Sequence, residues 1–165
     1  MRDTSQQGLI SHTAILNRLV QLGFEVLLPW ADHLGYDLAY YAVEEYRSFG
    51  FFVYREARLV RIQCKTAWLS KDSTYLMFNT STVSPRKTSQ NKKSGYQGKA
   101  DFFAVYSPDT GKIYMIAVND APNGDMNLRF KSAGIMRGGR HHMYNVPYEN
   151  IENKAAYTWA EDYEI

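Results

Sequence analysis

Apolar positions in the first 30 residues recur first with a helical period and then as a short continuous run. Residues 8–22 carry apolar side chains at helical spacing and predict an amphipathic helix. Gly23 is a typical helix stop, and Phe24 is placed to pack back on the last turn. The run at 24–28 predicts a strand that Pro29 ends. The pattern assigns the buried stripe of the helix to Leu9, Leu16, Leu19 and Val20.

After this helix, the chain shows a series of strand patterns separated by turn residues. The predicted strands lie within residues 35–41, in a hairpin of 51–54 and 59–66 that turns at 55–57, and at 75–79, 102–106 and 112–118. Residues 81–99 are predicted to form a loop and residues 151–160 a short helix. One helix followed by many strands predicts an α/β (α+β) fold with a central mixed sheet, and not an all-β sandwich.

Composition places the chain among ordinary globular proteins. With 165 residues, 45% of them hydrophobic and 22% charged, residues 1–165 are expected to form a single domain. No run of about 18 apolar residues is present, so no membrane span is predicted. The polar start, residues 1–7, is not typical of a signal peptide. One cysteine, Cys64, suits a reducing compartment, and we therefore predict a cytoplasmic location.

Charge is distributed unevenly along the chain. Residues 149–165 hold five acids and one base, so residues 1–148 carry 18 bases against 12 acids, or +6. Residues 81–100 contain five basic residues and no acid. A field of this sign attracts phosphates, although a solvated mobile loop would show the same composition.

The segment 59–66 alternates with a period of two, which places two sets of side chains on opposite faces of a strand. Val60, Ile62 and Cys64 form the apolar set, and Arg61, Gln63 and Lys65 form the polar set. Strands often expose polar residues to solvent, so this alternation alone does not indicate chemistry.

An aspartate at the start of the preceding predicted strand changes the interpretation. Asp37 can lie beside Gln63 and Lys65 if the two strands are neighbours, and the backbone carbonyl of Cys64 would lie there too. Mg²⁺ or Mn²⁺ binds such oxygen ligands, polarises a phosphoryl oxygen and activates a water molecule. Lys65 would add positive charge near the attacking water. By spacing alone, such triples also occur by chance.

Further segments give the pattern more specificity. They are residues 27–30 (LLPW), 35–38 (GYDL), 61–67 (RIQCKTA), 78–80 (FNT) and 96–106 (YQGKADFFAVY). In this order they resemble the PD-(D/E)XK nuclease superfamily, and more narrowly the group I intron homing endonucleases of that fold. The resemblance spans about residues 6–131 and leaves residues 132–165 as a C-terminal extension.

The resemblance implies a restriction-endonuclease-like core, with a central mixed sheet flanked by helices. It implies that Asp37 binds the metal, that Gln63 takes the usual acidic position, and that Lys65 is the catalytic lysine. Because Gln63 is neutral, we predict weaker metal affinity than in a glutamate version of the site.

Two further residues have alternative interpretations. Relatives usually carry an acid in the helix pattern Gly-x-x-x-Glu, and counting from Gly8 this position is His12. His12 is either a packed or hydrogen-bonded core residue or a ligand or proton carrier that faces Asp37. Asp101 matches the family as well, and it could bind metal, orient Lys65 or cap the basic loop.

The predicted partner is double-stranded DNA, and the predicted enzyme is an endodeoxyribonuclease that cuts both strands at a specific site. Two opposed strands favour a homo-oligomer, either a dimer or a tetramer. A structure-specific nuclease such as a Holliday-junction resolvase and a non-catalytic nucleic-acid-binding module are the alternatives. The predicted DNA contacts are Arg86, Lys87, Lys92, Lys93, Tyr96 and Lys99.

Overall fold

One long helix and twelve strands are present among the described residues, together with three short 3-10 turns. The computed structural model describes residues 3–31, 34–48, 52–84, 92–137, 144–146 and 158–165. The helix α1 is Thr4–Gln21. The strands are β1 (Val26–Leu27), β2 (Leu38–Ser48), β3 (Phe52–Thr66), β4 (Trp68–Leu69), β5 (Tyr75–Asn79), β6 (Thr82–Ser84), β7 (Lys92–Ser94), β8 (Phe102–Ser107), β9 (Lys112–Ala117), β10 (Asp125–Arg129), β11 (Ile135–Arg137) and β12 (Tyr144–Val146).

Both ends of α1 are capped by local hydrogen bonds. The Asp3 carboxylate accepts a bond of 2.9 Å from the N–H of Ser5, which satisfies one of the free donors of the first turn. At the other end, Gly23 has a φ of +86°, and the N–H of Phe24 donates to the carbonyl of Leu19 over 3.1 Å. This is a Schellman ending, and it confirms the predicted helix stop.

The buried stripe of α1 differs from the prediction. Ser11, Ile15 and Leu19 are buried, whereas Leu9 is 65% exposed and Val20 is 56% exposed. Ser11 tolerates burial because its hydroxyl donates to the carbonyl of Gln7 and pairs with the hydroxyl of Thr66. The predicted stripe was therefore wrong for Leu9 and Val20.

A five-stranded mixed sheet forms the centre of the fold. Its order is β1-β2-β3-β8-β9, and only the β3–β8 pair is parallel. This confirms the predicted α+β class with a central mixed sheet. Because β3 and β8 run parallel, their carboxyl-terminal ends, at Thr66 and Tyr106, lie side by side at one end of the sheet.

The long β2–β3 hairpin replaces the shorter hairpin that the sequence predicted. β2 and β3 pair from Leu38 opposite Ile62 to Ser48 opposite Phe52, so the predicted turn at 55–57 was wrong. Arg55 lies inside β3 opposite Glu45, and its Nε atom donates to that carboxylate over 2.7 Å. Beyond Tyr41 and Leu59 the hairpin has no further strand beside it among the residues described.

Two buried layers lie on opposite faces of the central sheet. On one face α1 packs through Ile15 and Leu19 onto Ile62 and Ala104. On the other face, a second sheet of order β10-β5-β4 covers Phe103 and its neighbours. Within the described ranges, α1 is the helix that flanks the sheet, and strands cover the second face. Apolar burial in both layers stabilises the arrangement.

Residues 81–99 contain a short antiparallel ribbon, β6–β7, where a loop was predicted. A second ribbon pairs β11 with β12. Of the predicted helix at 151–160, residues 151–157 lie outside the described residues, and a 3-10 turn begins at Ala160. None of the described helices is long and apolar enough to cross a membrane.

Candidate active site

The turn before β2 fixes the position of Asp37. Gly35 has a φ of +76°, and a Cβ atom there would lie 3.1 Å from Cδ of Lys99. Asp37 then donates its backbone N–H to the carbonyl of Ile62 over 2.8 Å, which anchors Asp37 beside Leu38 and Ile62, the last pair of the β2–β3 ladder. Glycine at position 35 therefore allows both the turn and the close approach of the Lys99 side chain.

Asp37 and Gln63 meet at this end of the ladder. Gln63 donates its amide Nε2–H to Oδ2 of Asp37, and the backbone N–H of Cys64 donates to the same oxygen over 2.8 Å. Both bonds end on Oδ2, so the second carboxylate oxygen can face another ligand. The structure thus brings together the carboxylate and the amide that the sequence singled out.

Cys64 contributes its backbone to this group. In a strand, the N–H and C=O of one residue point towards the same neighbour, so the Cys64 carbonyl points to the side on which its N–H meets Asp37. Gln63 Nε2 lies 3.5 Å from that carbonyl oxygen. The Cys64 thiol packs on the α1 face. Burial is the larger cause that raises the pKa of this thiol, and the nearby Asp37 charge raises it further. A neutral thiol is a poor metal ligand, so the carbonyl is the available donor.

Burial is also the main influence on Asp37 itself. Desolvation raises the pKa of this carboxyl above its ordinary value, because the charged form loses contact with water. The Cys64 N–H, the charges of His12 and Lys65, and the Gln63 amide act in the opposite direction. Binding of a cation would therefore stabilise the charged form of this half-buried carboxylate.

Lys65 follows Gln63 on the same face of β3 and is held by an aromatic pair. Its Nζ atom donates to Oη of Tyr96 over 3.1 Å and lies 4.5 Å from the centre of the Tyr96 ring. Tyr96 is only 7% exposed and packs edge to face on Phe103. The predicted contact of Tyr96 with DNA stays a prediction. Sequence spacing gave no signal of the contact between Tyr96 and Lys65.

Asp101 lies elsewhere and binds Arg61. Its Oδ2 accepts the backbone N–H of Arg61 over 2.7 Å, and its Oδ1 accepts a guanidinium N–H over 3.0 Å. These bonds lower the pKa of Asp101. Arg61 also donates to the carbonyl of Gly98 over 2.7 Å. Of the predicted roles, this arrangement fits capping of the basic loop. Within the described chain, no hydrogen bond joins Asp101 to Lys65.

His12 reaches the same cavity as Asp37. That cavity has a volume of about 420 Å³ and is lined by His12, Leu28, Pro29, Tyr36 and Asp37. The Nε2 atom of His12 is buried and has no hydrogen-bond partner in the described ranges. The interpretation as a hydrogen-bonded core histidine therefore does not hold for this nitrogen.

The predicted basic contacts are only partly described. Lys99 is exposed, and its aliphatic stem borders the turn before Asp37. Arg86 and Lys87 lie outside the described residues, and for Lys92 and Lys93 only the backbone of β7 is described. Lys99 is thus the one cation of this set whose side chain the structure describes.

The oxygen donors of Asp37, Gln63 and Cys64 suit a hard divalent ion better than a zinc ion held by cysteine and histidine. No cluster of three or more His, Cys, Asp or Glu side chains exists among the residues described. A metal would have to rely on the Asp37 carboxylate, the Gln63 amide oxygen and the Cys64 carbonyl, with water filling other positions. Gln63 would have to turn its amide so that the oxygen, and not the nitrogen, faced the ion.

Comparisons with known proteins bear on the fold and on the family of the chain. The fold is similar to that of a solved bacterial homing endonuclease, I-Ssp6803I, with a TM-score of 0.59 and 18% identity over 94% of this chain and 88% of that chain. No curated protein shows significant similarity to the sequence. The sequence profile of the PD-(D/E)XK endonucleases matches residues 2–145. The chain therefore belongs to the PD-(D/E)XK endonuclease family.

Proposed function

We propose that this endonuclease is a metal-dependent enzyme that hydrolyses phosphodiester bonds of double-stranded DNA at Asp37, Gln63 and Lys65. The observation that carries the proposal is the convergence on Oδ2 of Asp37, where the Gln63 amide and the Cys64 N–H both donate. A carboxylate, an amide and a backbone carbonyl at one strand end are the oxygen donors that Mg²⁺ or Mn²⁺ requires.

The protein residues would hold and orient the ion. Asp37 supplies the negative charge, while Gln63 and the Cys64 carbonyl supply neutral oxygens on the same side of β3. When bound, such an ion polarises the phosphoryl oxygen and lowers the pKa of a water molecule. With one carboxylate, the site carries less negative charge than a site with two, so DNA phosphate would complete the charge balance.

Lys65 would act on the phosphate through its charge. The Tyr96 hydroxyl and ring hold its ammonium group, which limits the side-chain motion that would otherwise weaken its effect. Positive charge fixed in advance beside a phosphate stabilises the extra negative charge of the transition state. Lys65 is thus proposed as the catalytic lysine and Tyr96 as the residue that positions it.

DNA as the substrate is supported by charge and by the structural neighbour. Residues 1–148 carry 18 bases against 12 acids, and exposed Lys99 borders the turn that holds Asp37. Basic side chains near the cut would bind the DNA backbone and release counterions. The structural neighbour is a bacterial homing endonuclease, which favours site-specific double-strand cleavage here.

A homo-oligomer is proposed because two strands must be cut and because one face of the β2–β3 hairpin carries an exposed apolar patch. Tyr41 pairs with Leu59 and shares that face with Val43, and all three side chains are exposed. Such a patch on an extended ribbon suits burial against a second copy. Sedimentation should show a dimer or tetramer, and Val43→Lys should yield smaller species. A monomeric parent at assay concentrations would exclude this assembly.

The proposed function is tested by incubating the protein with Mg²⁺ or Mn²⁺ and duplex DNA of its host locus. Discrete fragments should form with the parent, whereas Asp37→Asn should bind the same DNA and leave it intact. Faster cutting of a four-way junction than of linear duplex would favour a resolvase instead. Salt-sensitive DNA binding with no cleavage in either metal would favour a non-catalytic binding module.

A further inference from the structure

The imidazole of His12 differs from the hydroxyl of Ser11, its neighbour on α1. One residue earlier, the hydroxyl of Ser11 donates to the Gln7 carbonyl and pairs with the Thr66 hydroxyl. In the part of the chain that the structure describes, the buried Nε2 of His12 has no such partner. Buried polar atoms are nearly always paired, so an unpaired ring nitrogen indicates a missing partner.

The cavity limits what that partner can be. Leu28 and Pro29 supply apolar wall, and Asp37 supplies the carboxylate among the residues that line it. His12 and Asp37 line this same cavity, so both side chains face one space that an ion can enter. A cation between a carboxylate and a neutral ring nitrogen would satisfy both groups at once.

We propose that Nε2 of His12 is a metal ligand of the Asp37 site and that it gives this site a preference for a divalent transition metal over Mg²⁺. The proposal rests on the proposed function, since it assumes that Asp37 binds a metal. Imidazole nitrogen binds transition metals well, and their affinities rise from Mn²⁺ to Co²⁺ and Ni²⁺. Mg²⁺ keeps oxygen ligands and water, so a nitrogen ligand adds little to its binding.

The rest of the donor set favours the same conclusion. Gln63 and the Cys64 carbonyl are neutral, so Asp37 is the one anionic donor in the proposed set. A site with a single negative charge holds Mg²⁺ weakly, because binding of this ion depends mainly on carboxylate charge. A nitrogen ligand compensates for that deficit only for metals that accept it.

The test measures metal binding to DNA-free protein by calorimetry, with Co²⁺ and Mg²⁺ as probes. The variants are His12→Gln, which removes the ring nitrogen, and His12→Glu, which replaces it with a carboxylate. Asn17→Ala, on the side of α1 facing another groove, is the control. In addition, proton NMR of the Co²⁺ form should show a strongly shifted, exchangeable imidazole N–H signal.

The expected result is a selective change. His12→Gln should weaken Co²⁺ binding by about 10- to 100-fold and lose the shifted N–H signal, with little effect on Mg²⁺. His12→Glu should strengthen Mg²⁺ binding and reduce the preference for Co²⁺.

Unchanged Co²⁺ affinity and an unchanged N–H signal in both variants would overturn the proposal. If Asp37→Asn still abolished metal binding in that case, the proposed function would stand. If Asp37→Asn bound both metals as the parent does, the proposed function would fall together with this inference.

Discussion

The ammonium group of Lys65 donates a 3.1 Å hydrogen bond to the hydroxyl of Tyr96, and the Tyr96 ring is buried against Phe103. We predict that Tyr96→Phe keeps the ring packing but frees Lys65 to move. Loss of one charged hydrogen bond should slow single-turnover cleavage by about 10-fold, equivalent to about 1.4 kcal/mol. DNA affinity should stay unchanged, because the ring is not exposed.

Filter binding and single-turnover kinetics on the same preparation separate the two effects of Tyr96→Phe. Its unfolding free energy, measured in urea, should fall by no more than about 3 kcal/mol, the usual upper range for one hydrogen bond to a charged group. Weaker DNA binding with an unchanged rate in the bound complex would instead make Tyr96 a DNA contact.

Burial raises the pKa of Asp37, and this has a consequence for stability in metal-free protein. A carboxyl whose pKa rises on folding contributes stability below its unfolded pKa, and this contribution is lost as pH increases through the folded pKa. Asp37→Asn removes that loss. In chelator, the variant should gain stability relative to the parent as pH increases from the ordinary carboxyl range to neutrality.

Urea unfolding of both proteins between pH 3 and pH 8 measures this difference. Other titrating groups cancel in the comparison, since they are common to the two chains. A parent that becomes more stable than Asp37→Asn as pH increases would contradict the dominance of desolvation at Asp37. The variant should also be inactive, an example of the conflict between stability and function at a catalytic site.

Gln63 holds the position where a second acid would strengthen cation binding. Gln63→Glu should bind Mg²⁺ more tightly in calorimetry, because it adds a negative oxygen donor beside Asp37. Without metal it should be less stable than the parent, since two carboxylates would then share one strand end. Equal Mg²⁺ affinity in the two proteins would mean that this side chain does not face the ion.

Adjacent positions on α1 test the orientation of the helix. Leu19 is fully buried beneath the central sheet, whereas Val20 is 56% exposed. Leu19→Ala should lower the unfolding free energy by about 2–5 kcal/mol, and Val20→Ala should change it by less than about 0.5 kcal/mol. Similar losses at the two positions would favour the stripe predicted from sequence.

The helix also shows where sequence patterns stop being informative. The residues Ser11, Ile15 and Leu19 face the sheet, and of these Leu19 alone belongs to the predicted stripe. Ser11 looks unsuited to a core until Thr66, 55 residues away, provides a hydroxyl partner. A contact of that separation leaves no periodic signal, so hydrophobicity alone selected the wrong face.

The strand that carries the candidate site was easier to predict. Alternation in residues 59–66 gave the correct faces, because Val60 and Ile62 are buried and Gln63 lies beside Asp37. The turn predicted at 55–57 failed, since cross-strand pairing of Arg55 with Glu45 stabilises charged residues within the ribbon. The sequence singled out Tyr96 and Asp101, but it did not identify their partners. Lys65 and Arg61 meet them only through tertiary contacts.

The most direct test of the central claim is the single-turnover cleavage rate of preformed complexes of DNA with the parent and with Lys65→Ala, started by adding Mg²⁺ or Mn²⁺. Lys71→Ala, in the exposed turn before β5, removes the same charge away from β3 and serves as the control. We predict a rate loss of about 100- to 1,000-fold for Lys65→Ala with DNA binding retained, and none for Lys71→Ala. Equal cleavage rates for Lys65→Ala and the parent would contradict a catalytic site at Asp37, Gln63 and Lys65.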